Sequence, residues 1–283
     1  TLLHAFADSG HANILATVAS TRYEGVASVF DVLNTYFGRP DLPIGVPGEH
    51  ALNTRDYQHW SDTLIARYSH DIKSNADAED AVSVYRRVLA AQPDNSVTII
   101  TVGFLTNIAD LLRSEPDNFS DLNGRALVKR KVKQLVCMAG GFPSFKEYNI
   151  KEDAASSKYV FENFEGPILF SGFEIGVKIK TGLPLIYDES IQNSPVKDVF
   201  RISIPMSAED KDGRMSWDQT AVLVGIKGTD PWYRTQSGTI KVADDGSNTW
   251  VNDSGKHRYL IEERPAEDVQ KLINELMKHQ PRR

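Results

Sequence analysis

An aspartate stands at the entrance to an apolar run. Asp218, within RMSWDQTAVLVGI (residues 214–226), is flanked by Met215 and Trp217 and followed by Ala221, Val222, Val224 and Ile226. A carboxylate drawn toward a core needs a cation, a metal or hydrogen-bond donors to make its burial tolerable. If WDQTAVLVGI is a helix, Asp218 lies near its amino end, where free N–H groups and the dipole favour an anion, and capping alone would account for it. Two further segments hold polar side chains of useful type. Thr106 begins TNIADLLRS shortly after a β-branched run, where its ordinary role would be to cap the helix. In GGFPSFKEYNIKEDAA (140–155), Glu147 and Asn149 are two residues apart, so an extended segment would turn both to one side. A carboxylate that only accepts, beside an amide that donates and accepts, suits a polyol better than an apolar ligand. A solvated loop is the plainer reading of the same pair. Gly140 and Gly141 would let the backbone turn closely past a ligand.

The elements that must position these residues alternate along the chain. TLLHAFADSG reads as a helix stopped by Gly10, and ANILATVAS as a strand-like apolar run. EGVASVFDVLNTYFG places Val26, Val29, Phe30, Leu33 and Phe37 at helical spacing. LPIGV is a short strand, DAEDAVSVYRRVLAAQP a helix opened by acids and closed before Pro93, and SVTIITV a strand. TNIADLLRS then reads as a helix, KQLVCMA as a strand, EDAASSKYVFENF as a helix and PILFSG as a strand. Strand runs without in–out alternation, separated by helices, predict an α/β fold: an open, mostly parallel, doubly wound sheet. Such sheets bind ligands outside the carboxyl ends of their strands, which is where Thr106 and the Gly140–Asn149 segment fall. From about residue 228 to 263 the chain is polar and Gly-punctuated, typical of an antiparallel β-rich elaboration. PAEDVQKLINELMKH closes the sequence as an amphipathic helix. With no repeat, low-complexity tract or linker, residues 1–283 read as a single domain with the elaboration inside it.

Composition narrows the partners. The chain is 41% hydrophobic and 25% charged, and its net charge of -6 argues against a nucleic-acid or anionic-membrane surface. No stretch approaches the length of a membrane-spanning helix, and no signal peptide is visible. The single cysteine, Cys137, excludes an internal disulfide and cannot build a thiolate zinc site; a buried structural thiol is expected.

Three segments in this order, VTIITVGFLTNIADLL, VCMAGGFPSFKEYNIKEDAAS and SWDQTAVL, resemble the inosine–uridine-preferring nucleoside hydrolase family. SGFEIG and GRPDLPIGVPG also fit, so the resemblance covers nearly the whole chain. It implies an N-ribohydrolase that uses one calcium ion to hold the ribose hydroxyls and an attacking water. Carried across residue by residue, the main-chain carbonyl ligand is Thr106 and the late aspartate ligand is Asp218. Glu147 and Asn149 match the pair that grips the ribose. On this reading a metal makes the buried Asp218 tolerable, and oxygen-only ligation suits a hard cation. A homodimer or homotetramer acting on ribonucleosides or related ribosyl compounds is implied as well.

The departures shape the expectations. The family's Asp-Thr-Asp-x-Gly-x-Asp-x-Asp-Asp signature would stand just ahead of Thr1 and is absent. A helix that feeds directly into a parallel strand also lacks the strand from which it would cross over. Both point to further sequence upstream, and without it the chain as written is expected to lack its general base and to be inactive. No residue of the chain is therefore assigned as that base. Trp217 occupies the place where many members have histidine, so stacking on the nucleobase is expected rather than proton donation to it. His70 reads as a solvated loop histidine. A ribose- or nucleoside-binding relative without catalysis is the alternative expectation.

Overall fold

The computed structural model describes residues 1–281. In chain order its first part runs α1 (Leu2–Asp8), β1 (Thr17–Val18), α2 (Val26–Tyr36), β2 (Ile44–Val46), α3 (Trp60–Arg67), β3 (Glu79–Asp80) and α4 (Ala81–Ala90). The middle runs β4 (Val97–Thr101), α5 (Thr106–Arg113), α6 (Gly124–Lys131), β5 (Val132–Met138), β6 (Ser144–Phe145), α7 (Tyr148–Glu152), α8 (Ala154–Asn163), β7 (Ile168–Ser171) and α9 (Phe173–Gly176). It ends with β8 (Lys180–Thr181), α10 (Leu183–Ile186), α11 (Pro195–Ser203), β9 (Arg214–Met215), α12 (Trp217–Lys227), β10 (Tyr233–Val242), β11 (Asn248–Val251), β12 (His257–Glu262) and α13 (Ala266–Met277). Among the described residues, no helix is long and apolar enough to cross a membrane.

The chain divides into two compact units. One comprises residues 1–81, 178–216 and the chain from 266 onward. Its three-stranded sheet is parallel, in the order β1-β2-β3. Two sequence expectations need correction here. Within ANILATVAS only Thr17 and Val18 form a strand, because β2 offers a short partner, and most of the run stays half-exposed. The acids of DAEDAV do not open a helix: Glu79 and Asp80 pair with Gly45 and Val46 as β3, and α4 begins at Ala81.

The other unit comprises residues 82–177 and 217–265 and carries a seven-stranded sheet ordered β4-β5-β7-β12-β10-β11-β6. The strands β4, β5, β7 and β12 are mutually parallel; β10, β11 and β6 are antiparallel to their neighbours. The fold is thus mixed α/β around a mostly parallel sheet. Leu135 to Met138 and Ile168 to Ser171 are buried without a break, as strands covered on both faces must be. Cys137 lies in this core, and burial pushes its thiol up to about 12. The segment read as a β-rich elaboration is continuous with the sheet, since β12 pairs in parallel with β7 and antiparallel with β10. Helix α12 lies against β4, β5 and β7 and buries Ala221, Leu223 and Val224.

Candidate active site

Because β4, β5 and β7 run in parallel, the loops that follow them emerge at one end of the sheet. Thr106 follows β4, the Gly140–Asn149 segment follows β5, and α9 follows β7. The amino end of α12 is fastened to the same place. The buried hydroxyls of Ser171 and Thr220 lie 2.7 Å apart, and Trp217 Nε1 donates to the Phe173 carbonyl at 3.0 Å. Gly176 permits this contact: a Cβ there would stand 2.3 Å from Trp217 Cα. The five residues singled out in the sequence therefore share one region of one unit.

Glu147 is the most constrained of them. It is 3% exposed and caps α7. Its Oε1 accepts from Asn149 N at 2.8 Å, and its Oε2 accepts from Gly140 N at 3.1 Å and Ile150 N at 3.2 Å. Burial raises its pKa, against the pull of the N–H groups of Asn149, Gly140, Ile150 and Tyr148. The expected extended segment is not what forms: Glu147 is the cap and Asn149 the second residue of the helix. The two side chains nevertheless turn toward one stretch of backbone, since Asn149 Nδ2 donates to Met138 O at 3.1 Å and contacts Met138 Sδ at 3.2 Å. With that nitrogen engaged, Asn149 offers its Oδ1, and Glu147 retains acceptor capacity at Oε1. The pair is thus suited to receive two hydroxyl O–H groups, rather than to donate and accept as the sequence suggested.

Thr106 is buried and is the first residue of α5, one position past the cap at Leu105. Its hydroxyl does not cap the helix; it donates to Asp153 Oδ2 at 2.8 Å, which ties α5 to the start of α8. Nothing in the spacing signalled that partner, because KEDAAS reads as an ordinary acidic helix start.

Asp218 requires the largest correction. It lies in the first turn of α12 as expected, but it is exposed. The inward face of the helix is set by Thr220, Ala221, Leu223 and Val224. At about 100° per residue, Asp218 points nearly opposite to them and Trp217 nearly with them. Trp217 is accordingly half-buried, its ring 5.3 Å from that of Phe173, which stacks in turn on Phe145 at 4.9 Å. His70 lies half-buried in its loop, its Nδ1 2.9 Å from the Tyr68 carbonyl.

Thr106 offers a main-chain carbonyl and Asp218 an exposed carboxylate, both hard oxygen donors of the kind calcium prefers. In number they fall short, since calcium takes about six to eight oxygens. Among the described residues, no group of three or more His, Cys, Asp or Glu side chains is placed to hold a metal. These two residues by themselves do not make a calcium site.

The family model described as inosine-uridine preferring nucleoside hydrolase matches residues 3–271. Among curated proteins, no sequence matches the chain. Of solved structures, a purine-preferring ribonucleoside hydrolase from Gardnerella vaginalis is similar with a TM-score of 0.73 at 16% identity, covering 98% of this chain and 95% of that one. A plant nucleoside hydrolase, the PpNRh1 enzyme, aligns with a TM-score of 0.69 at 19% identity, covering 98% and 96%. The type III effector XopQ, complexed with adenosine diphosphate ribose, aligns at 0.65 and 13% identity, covering 98% and 88%. Likenesses at such identities show the fold, and the family match spans nearly the whole sequence. The chain belongs to the inosine–uridine-preferring nucleoside hydrolase family.

Proposed function

We propose that the protein hydrolyses the N-glycosidic bond of ribonucleosides, releasing ribose and free base with calcium as its cofactor. Family membership supports ribonucleoside hydrolysis in general. The observation that carries the finer reading is the buried Glu147 beside Asn149, two acceptors held at the carboxyl end of β5. In the reaction a bond forms between water oxygen and the anomeric carbon while the carbon–nitrogen bond breaks through an oxocarbenium-like state. Hydrogen bonds from the ribose hydroxyls to Glu147 and Asn149 orient the ring for that attack. Trp217 stacks on the nucleobase. Its indole N–H is committed to the Phe173 carbonyl, which favours stacking over proton donation to the leaving group.

Calcium, when bound, would orient the sugar hydroxyls and acidify the attacking water. Thr106 and Asp218 are proposed as two of its ligands. The test is free ribose released from inosine, uridine and other nucleosides, with and without chelator. Chelator-sensitive release supports the reading. Binding of nucleosides without release would favour a ribose-binding relative that has lost catalysis.

A further inference from the structure

We infer that Asn248, on strand β11, is a positioning residue that fixes where Glu147 presents its carboxylate, acting through the Gly140–Gly141 turn; this rests on the ribose-binding reading of Glu147. Asn248 is 1% exposed. Its Oδ1 accepts from Gly141 N at 3.1 Å and its Nδ2 donates to Gly141 O at 2.9 Å, so one side-chain amide pairs with both backbone polar groups of one residue. The preceding residue, Gly140, donates its N–H to Glu147 Oε2 at 3.1 Å.

Two adjacent glycines have the widest conformational freedom the backbone allows, and Gly140 sits in the left-handed region at φ 75°. Such a turn does not hold itself and needs an external brace. Asn248 is fitted closely to it: a Cβ on Gly140 would stand 3.2 Å from Asn248 Oδ1. The same strand braces the loop further along. Asn248 and Thr249 pair with Phe145 and Ser144, and Trp250 N donates to Pro143 O at 2.8 Å. Strand β11 therefore holds the backbone from Gly141 to Phe145, leaving Glu147 little freedom at the end of that stretch. The geometry gives the antiparallel region a part in the site, although it contributes no side chain to the ribose pair.

The test reads the amide resonances of Gly140, Asn149 and Ile150, which donate to Glu147, in ¹H–¹⁵N spectra of the full chain titrated with D-ribose. Asn248→Ala should shift all three and weaken D-ribose binding about tenfold, the cost of misplacing one hydrogen bond from a ribose hydroxyl to the Glu147 carboxylate. Asn248→Asp keeps the side-chain shape and the acceptor for Gly141 N–H but sets a second acceptor oxygen, charged when ionised, against Gly141 O. It should shift the same amides, and it serves if the alanine variant fails to fold. Ile240→Val, in the buried part of β10, should lower thermal stability and leave the three amides in place. Unmoved amides in both Asn248 variants, or equal movement in Ile240→Val, would overturn the inference. If the amides move as expected but D-ribose perturbs nothing in the unaltered protein, the positioning stands and the ribose reading of Glu147 fails.

Discussion

Replacing Glu147 by glutamine separates its structural role from its role in binding. The carboxylate receives three backbone N–H groups, two at Oε2 and one at Oε1. Glutamine has one acceptor oxygen, so in either orientation at least one of those N–H groups faces an NH₂. A buried donor left unsatisfied costs about 1–3 kcal/mol. Against this, the raised pKa of Glu147 means that burial outweighs the hydrogen bonds in its charge balance. Removing the charge at neutral pH recovers part of that desolvation. The sign agrees with the linkage: a carboxyl with a raised folded pKa favours the folded state at acid pH, and that contribution fades as pH rises through the folded pKa. The two effects oppose each other, so stability at neutral pH should change little. Binding has no such offset. Losing a charge-assisted hydrogen bond to a ribose hydroxyl costs about 1.5–3 kcal/mol, or about tenfold to 150-fold in affinity. Thermal unfolding and D-ribose calorimetry on Glu147→Gln, each at neutral pH, give the two readings, and kcat/KM for inosine should fall in the same proportion. A large stability loss with unchanged ribose affinity would refute the reasoning and leave Glu147 a helix cap.

Two further variants test the neighbouring assignments. Trp217→Ala should raise KM for nucleosides several-fold while leaving D-ribose affinity nearly unchanged, because the indole is proposed to touch only the base; equal losses for both ligands would contradict stacking. Asp218→Ala should abolish calcium binding while leaving the protein folded. Unchanged calcium affinity by calorimetry would remove Asp218 from the ligand set.

Much of the architecture was legible because burial on both faces leaves a plain signature. KQLVCMA and PILFSG lack alternation, and they became the covered strands β5 and β7. The loops after them could be read as ligand-facing because a parallel sheet puts them at one end. The errors have local physical causes. The apolar neighbours of Asp218 in sequence suggest burial, but the inward face of the helix is formed by Thr220, Ala221, Leu223 and Val224, and Asp218 points away from it. Glu79 and Asp80 look like a helix start, and only pairing with β2 makes them a strand. The partners that hold the site in place were not visible at all. Asn248 and Gly141 are 107 residues apart, and Thr106 and Asp153 are 47. Contacts across such distances are set by tertiary packing, on which local periodicity carries no information.

The central claim is hydrolysis of ribonucleosides at a site built on Glu147 and Asn149. Its most direct test is the release of free ribose from inosine and uridine by the protein, alongside Glu147→Gln and Asn149→Ala, each with and without chelator. Chelator-sensitive release, reduced about tenfold or more in both variants, is the predicted result. Ribose release at unaltered rates by the two variants, or none from any nucleoside by the unaltered protein, would contradict it.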